Sequence, residues 1–444
     1  MISKLNNTGA EPFLKKTGFV NLFIGIALAA AMVLGCDTGS EGDVDDDDDD
    51  TEEDASKETG SGGSEESGSG GSEESDSGGS ADTDAGGGTE KDAGVDAATE
   101  PEPPEYTTAL VITTDYSEGN YSTVAMDDYR ATININDMGI HSDAVCHFDL
   151  VTETPFIILR LGSDAINVLN PDTFEIVEEY SVVPGSNPYD IEVVSSERAY
   201  ISRYELNELL IVEPLTGEEV GTVDLSEFAD DDGIPEVSGL AMKDGKLYAL
   251  VARLDRDNSW TPVGDSYLIV IDAETGEVEA DLELAGANPY GQPEYSEALG
   301  KFVIAEAGEF SDLENAGIEL FDPADQTLSG LIVTEEELGG NVTKALVLSK
   351  TKGYALIGVQ GDNGSNTHVV TFNPETGKKT GTVIETEGWT YSDIVLTPDL
   401  TELWVADRTS ENPGIRVFDT ETDEEITDEP IDVGLPPSGI CFVL

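Results

Sequence analysis

A hairpin motif that recurs between residues 165 and 433 constrains this chain more than any other feature. Its copies are "AINVLNPDTFEIVEEYSV", "ELLIVEPLTGEEVGTVDL", "YLIVIDAETGEVEADLEL", "GIELFDPADQTLSGLIV", "HVVTFNPETGKKTGTVI" and "GIRVFDTETDEEITDEPIDV". Each runs apolar, turns on Asp, Asn or Glu with a following Pro or Thr-Gly, then continues in alternation. Period-two runs joined by turn residues are hairpins. Successive copies stand about 40–55 residues apart, the interval of a propeller blade.

Two more strands precede each hairpin. One is "RAYISR" (198–203), "KLYALV" (246–251), "KFVIAE" (301–306), "GYALIG" (353–358) or "ELWVAD" (402–407). Before it lies "PYDIEVV" (188–194), "VSGLAMK" (237–243), "VTKALVL" (342–348) or "YSDIVLT" (391–397). Six such units fill about 141–433. The remainder is one C-terminal strand, "PSGICFVL" (437–444), and three N-terminal ones, "ALVITTD" (109–115), "YSTVAMD" (121–127) and "ATININD" (131–137). Together these make a seventh blade, and joining the chain ends removes exposed sheet edges. The expected fold is all-β: a seven-bladed propeller of four-stranded antiparallel blades over 106–444. A six-bladed ring with a stray N-terminal sheet is the alternative.

With "RAYISR" and "ELWVAD" in place of a Tyr-Val-Thr-Asn strand, and with hairpins of the "VIDAETGEV" type, residues 106–444 resemble the YVTN-repeat propellers of bacterial surface and periplasmic proteins. That resemblance implies a shape and names no reaction.

The N-terminus carries an address. Lys4, Lys15 and Lys16 precede an apolar run from Phe19 to Leu34, short for a membrane span but suited to a signal peptide. Val33-Leu34-Gly35-Cys36 then resembles the lipobox of bacterial lipoproteins. The resemblance implies cleavage after residue 35 and a diacylglyceryl group on Cys36; two or more acyl chains there anchor stably to a membrane. An uncleaved anchor is the alternative. The expected place is the cell envelope, at the outer membrane, the cell surface or the periplasmic face of a membrane. Residues 37–105 are almost wholly Asp, Glu, Gly and Ser, which leaves little to bury, so the tract is expected to be a disordered linker.

The formal charge is −72; the 26 acidic and two basic residues of 37–105 account for −24 and the leader for +2, which leaves −50 on 106–444. A surface so acidic repels nucleic acid and favours a soluble monomer. It also suits cations, and calcium is the one cofactor the composition leaves open. The three cysteines make no disulfide framework. Cys146 and Cys441, however, fall on the inner strands of blades 1 and 7, neighbours across the closing seam. A disulfide and two buried thiols are both open.

Inner-strand starts surround a propeller's channel mouth. Alignment places Asp143, Asp190, Gly239, Pro293, Lys344, Asp393 and Gly439 at one equivalent position, and Thr114, Arg160, Arg203, Glu306 and Asp407 at the ends of the second strands. One reading is a polar funnel in which Arg160 and Arg203, beside Asp143 and Asp190, grip a carboxylate or sugar. The other is that these groups neutralise one another at a crowded axis. "HSDAVCHFD" offers His141, Cys146 and His147, yet the histidines share a strand face about 20 Å apart while the cysteine points away, so one metal cannot take both. "DRDNSW" (255–260) and "GDNGSN" (361–366) lack the downstream Glu of a calcium loop and read as polar hairpin loops. The insert at 254–265, with Trp260, offers a surface to a partner.

No Gly-x-Ser-x-Gly elbow and no phosphate loop occurs. The expectation is a non-enzymatic binding or scaffold module with an unidentified protein or small-molecule ligand. The alternative is a propeller enzyme, lactonase-like with Asp143, Asp190 and Asp393 on a metal, or quinoprotein-like; only Trp260, Trp389 and Trp404 are present for the latter's tryptophan motifs.

Overall fold

The computed structural model describes residues 104–361 and 364–444. The leader, Cys36 and the acidic tract lie outside the described residues. Seven sheets follow one another round a ring, with a small two-stranded ribbon besides. Blade 1 comprises Ala144–Asp149, Thr154–Leu159, Ala165–Leu169 and Ile176–Ser181, each antiparallel to the next. The inner strands of blades 2 to 6 are Pro188–Ser195, Val237–Lys243, Glu294–Ser296, Asn341–Ser349 and Tyr391–Leu396. Blade 7 takes its inner strand, Pro437–Val443, from the C-terminus and pairs it with Thr108–Thr114 from the N-terminus. Gly119–Ala125 and Ala131–Thr132 complete it. The ring therefore has seven blades, not six.

Two outer strands fall short of expectation. In blade 7 the outermost strand has two residues, because Asn134 turns left-handed (φ 52°) and leaves the ladder. Blade 6 has three strands; residues 425–431 form no fourth ladder and pair with it through isolated bridges at Phe418↔Glu425 and Ile415↔Ile431. That stretch, "EEITDEPIDV", carries a proline that cannot donate and a run of acids that repel one another.

The hairpin repeat has a local cause. Side chains of Asn170, Asn373 and Asp419 accept the N–H groups two and three residues on. The fifth residue of each turn, Phe174, Gly217, Gly276, Gly377 or Asp423, then donates its N–H back to the first carbonyl at 2.8–2.9 Å. All five have positive φ, which opens a bulge and matches the twist of the strands. At Gly217 a side chain is excluded outright: its Cβ would stand 2.2 Å from the Tyr180 ring.

Seven apolar clusters fill the seven interfaces between blades. One joins Phe156 and Ile158 to Ile191 and Ala199; another joins Trp404 and Ile415 to Ala109 and Ile440 across the seam. Each blade thus buries its faces only on its neighbours, and closure of the ring protects all seven at once. Tyrosine hydroxyls rivet the interfaces: Tyr121, Tyr180 and Tyr200 donate to the carbonyls of Phe174, Pro214 and Ala273, and Tyr354 to the Asp423 carboxylate, each in the following blade. Cys146 of blade 1 and Cys441 of the closing strand are joined as a disulfide, with Cα atoms 6.1 Å apart.

Candidate functional site

Two of the axial aspartates work as latches between blades. Asp190 accepts the N–H of Ile191 at 2.9 Å with one oxygen and that of Leu240, in blade 3, at 2.8 Å with the other. Asp393 does the same with Ile394 at 2.9 Å and with Ile440, on the closing strand, at 3.1 Å. Leu240 and Ile440 follow Gly239 and Gly439, the residues equivalent in position to the aspartates themselves. An aspartate in one blade and a glycine in the next therefore form one unit. Gly239 is compulsory, since a Cβ there would stand 2.1 Å from the Gly291 carbonyl oxygen.

Around these latches the channel is polar. Gln292 donates to Asp190 at 2.6 Å, and the His147 Nδ1 stands 4.0 Å away. Burial pushes the Asp190 carboxyl up to about 7, against the pull of its N–H donors, and pushes His147 down to about 4. Glu192, deeper in, is raised well above the usual carboxylate range by burial, with Asp190 and Asp149 adding to the effect. Lys344 bridges Asp393 at 2.9 Å and Glu294 at 3.3 Å. Burial works against its charge, yet the two carboxylates hold its pKa above the usual value.

The second-strand ends are less available than their alignment suggests. Arg160 lies beside Asp143, with Nη2 to Oδ1 at 2.7 Å, and both keep some exposure. Arg203 does not meet Asp190; it is buried and turns to Glu208 at 2.6 Å, because Asp190 is already filled by N–H donors. Asp407 is buried, held by the Thr409 N–H at 2.8 Å and Arg416 Nε at 2.7 Å. Glu306 is buried too, between Glu319 and the Gly286 backbone. Burial raises its carboxyl well above the usual range, and the neighbouring Glu319 adds to that. These three do not line the mouth. His141 bonds its own strand near Asp143. Among the described residues no three His, Cys, Asp or Glu side chains gather as a metal site.

Alignment of charged positions missed the aromatic residues beside them. Tyr290, from the connection before blade 4, lies within electrostatic reach of Tyr189 of blade 2, Tyr116 of blade 7, Arg160 and Asp143. Tyrosines from three non-adjacent blades thus share the electrostatic surroundings of the Arg160–Asp143 pair. Arg160 lies on the Tyr189 ring, 4.6 Å from its centroid. Tyr189 stacks on Tyr204 at 5.3 Å, and Tyr204 meets Trp260 at 6.2 Å. Arg256 covers the far side of Trp260 at 5.0 Å and pairs with Glu205 and Glu236. Trp260 comes from the 254–265 insert, which folds as a ribbon of Leu254–Asp255 with Thr261–Pro262. Successive left-handed residues, Ser259 and Trp260, set the indole against this wall. The other suspected loop, in blade 5, closes at Gly361↔Gly364, with 362–363 outside the described residues. A signal for the wall was present: Tyr189 and Tyr290 stand one and three residues before the aligned positions Asp190 and Pro293.

Solved structures of similar shape exist. A Bacteroides fragilis protein provisionally assigned as a 6-phosphogluconolactonase matches with a TM-score of 0.56 and 12% identity, over 78% of this chain and all of that one. A Bacteroides uniformis protein with the same provisional assignment matches at 0.53 and 13%, over 77% of this chain and all of that one. Hydrazine synthase of Kuenenia stuttgartiensis matches at 0.52 and 13%, over 66% of this chain and 88% of that one. At such identities the likeness is one of fold. No protein-family model matches the sequence, and no curated protein matches it.

Proposed function

We propose that this chain is a lipid-anchored propeller of the bacterial cell envelope, a binding module that takes a small sugar or carboxylate-bearing ligand at its channel mouth. One observation carries the reading. Tyr189 lies against Arg160, which pairs with Asp143, and Tyr116 and Tyr290 stand within electrostatic reach of that group, whereas most other charged groups near the axis are consumed by neighbours. Flat rings, phenol hydroxyls and a partly exposed guanidinium–carboxylate pair suit the faces and hydroxyls of a sugar. The leader and lipobox support the anchor, and the YVTN-like repeat supports an extracytoplasmic place.

Isothermal titration of the mature chain with sugar acids and their neutral parent sugars tests the mouth. Tyr189→Ala and Tyr290→Ala should each weaken binding at least tenfold, and a panel without saturable binding would overturn the reading. Radiolabelled palmitate should enter the wild type and not Cys36→Ser. Calcium belongs in the same titrations: a near-stoichiometric ion would place it at Asp143, Asp190 or Asp393.

A second reading, ring-opening of a lactone, draws on one feature of the channel. His147, whose burial keeps it neutral, stands beside the Asp190 carboxyl, a donor–acceptor pair suited to proton transfer. Propellers of similar shape carry a provisional lactonase assignment. Turnover of a lactone that His147→Asn abolishes would favour it.

A further inference from the structure

Among the described residues, Arg160, Arg203, Arg256 and Arg416 each hold a carboxylate within ion-pair distance. Arg408, one residue beyond Asp407, does not. Its Nη1 donates to the carbonyls of Pro436 at 3.1 Å and Pro437 at 3.0 Å, and its Nη2 donates to that of Thr114 at 2.9 Å. The guanidinium lies over the Tyr116 ring, 4.4 Å from the centroid. Asp115 is the nearby carboxylate, but one of its oxygens accepts the Ser117 N–H at 2.8 Å, the Ser117 hydroxyl at 2.7 Å and the Glu118 N–H at 2.8 Å. It is folded back on its own turn.

A half-buried cation without a counter-ion is unusual, because burial strips water that nothing ionic replaces. It is more unusual on a domain whose formal charge is −50, where acids are everywhere within reach. Three carbonyls take N–H donors and the Tyr116 hydroxyl adjoins the group, but none of these partners is a carboxylate, which leaves the charge unpaired. Arg253 also lacks a carboxylate, but it stands away from the axis in a hollow shared with Glu227 and Asp281. Arg198, at the opposite end of its strand, bonds the Tyr200 hydroxyl. Arg408 alone of the three stands at the axial ends of the strands, bonded to Pro436 and Pro437 where the closing inner strand starts and to Thr114 where its neighbour ends, with Tyr116 against it.

We infer that Arg408, over Tyr116, seats an oxyanion of the ligand, a carboxylate or a phosphate, while the remainder of that ligand lies against Tyr189 and Tyr290. The inference rests on the mouth-binding reading and adds the group that would choose an acidic ligand over its neutral parent. Arg408 also ties the two chain ends together, so a purely structural role is the competing explanation.

The test is isothermal titration of the mature chain with acetate, inorganic phosphate, D-glucuronate and D-glucose, at ionic strength matched with chloride. Wild type should bind glucuronate at least tenfold more tightly than glucose, and Arg408→Gln should lose that preference while still binding glucose. Tighter binding of phosphate than of acetate would identify a phosphate source, and the reverse a carboxylate. If Arg408→Gln does not fold, Arg408→Lys keeps the charge without the fork and should retain a weaker anion preference. Equal affinity for glucuronate and glucose in the wild type would overturn the Arg408 inference and leave the mouth reading standing. Anion binding lost in Arg408→Gln, with glucuronate no tighter than acetate, would uphold the seat and overturn the sugar reading.

Discussion

The blade 2–3 and blade 6–7 junctions use the same latch in different electrostatic settings. Asp190 and Asp393 each accept their own next N–H and one from the following blade, past a glycine. Asp393 has the Lys344 ammonium 2.9 Å away. Asp190 has no cation, only Gln292 and a neutral His147, and burial lifts it to about 7. The comparison teaches that a repeat copies its backbone work faithfully while the charge state is set by residues from other blades. One junction joins consecutive blades; the other holds the ring shut, and there the latch is ionic.

The largest expected effect comes from removing the covalent tie that backs the second latch. Reduction, or Cys146→Ser with Cys441→Ser, should cost about 3–5 kcal/mol in denaturant unfolding, given that the bridge spans 295 residues. A thiol count on the unfolded, unreduced chain checks the bridge itself: two reactive groups besides any on Cys36 would remove it. Next, Asp393→Asn should cost about 3 kcal/mol, since it strips Lys344 of its main partner and weakens the bond to Ile440. Asp190→Asn should cost about 1–2 kcal/mol, because an amide still accepts from Leu240 and strands no cation, although its NH2 then faces the Ile191 N–H. Equal losses would mean that Lys344 contributes nothing to the difference.

The glycines separate the two junctions again. Gly239→Ala should cost about 2 kcal/mol by forcing the Gly291 carbonyl aside, whereas Gly439→Ala, with nothing within 4 Å of its Cβ, should stay within about 0.5 kcal/mol. Urea midpoints of the two variants decide it. The remaining tests concern pH. Asp190 is protonated more readily in the folded state than unfolded, where its pKa is about 3.9, so its contribution is complete below about pH 4 and is lost as pH rises to 7. Asp190→Asn should flatten that slope. Glu306, raised by burial beside Glu319, works in the same direction: Glu306→Gln should gain about 1 kcal/mol over wild type at pH 8 and almost nothing at pH 4. A pH-independent difference would show that Glu306 is not a protonated carboxyl in the fold.

Much of the fold was legible because blade geometry is written locally. The turn residues of Asn170, Asp272 and Asn373 hairpins bond their own neighbours, and strands such as Arg198–Arg203 and Lys246–Val251 begin and end where their apolar alternation does. Outer strands were misjudged where pairing needed a cooperating neighbour, as at 133–137 and 425–431. At the axis the sequence identified the right inner strands and put weight on the wrong side chains. Arg203, Glu306 and Asp407 are charged and correctly aligned, but each turns into its own blade. Tyr116, Tyr290 and Arg408 come from connections whose lengths differ from blade to blade, so no alignment of strands could bring them together.

By itself the sequence determined seven antiparallel blades, the order in which they stack, the joining of the two chain ends and the charge the domain must carry. These follow from period, turn chemistry and composition, which act over a few residues or over the whole chain without regard to position. Tertiary structure alone decided which aspartate meets a cation, which arginine is left without one, and which rings meet over the channel. Those outcomes depend on side chains from blades that are distant in sequence and brought within a few ångströms only when the ring closes, and interactions between charges and rings at that range are set by distance and burial.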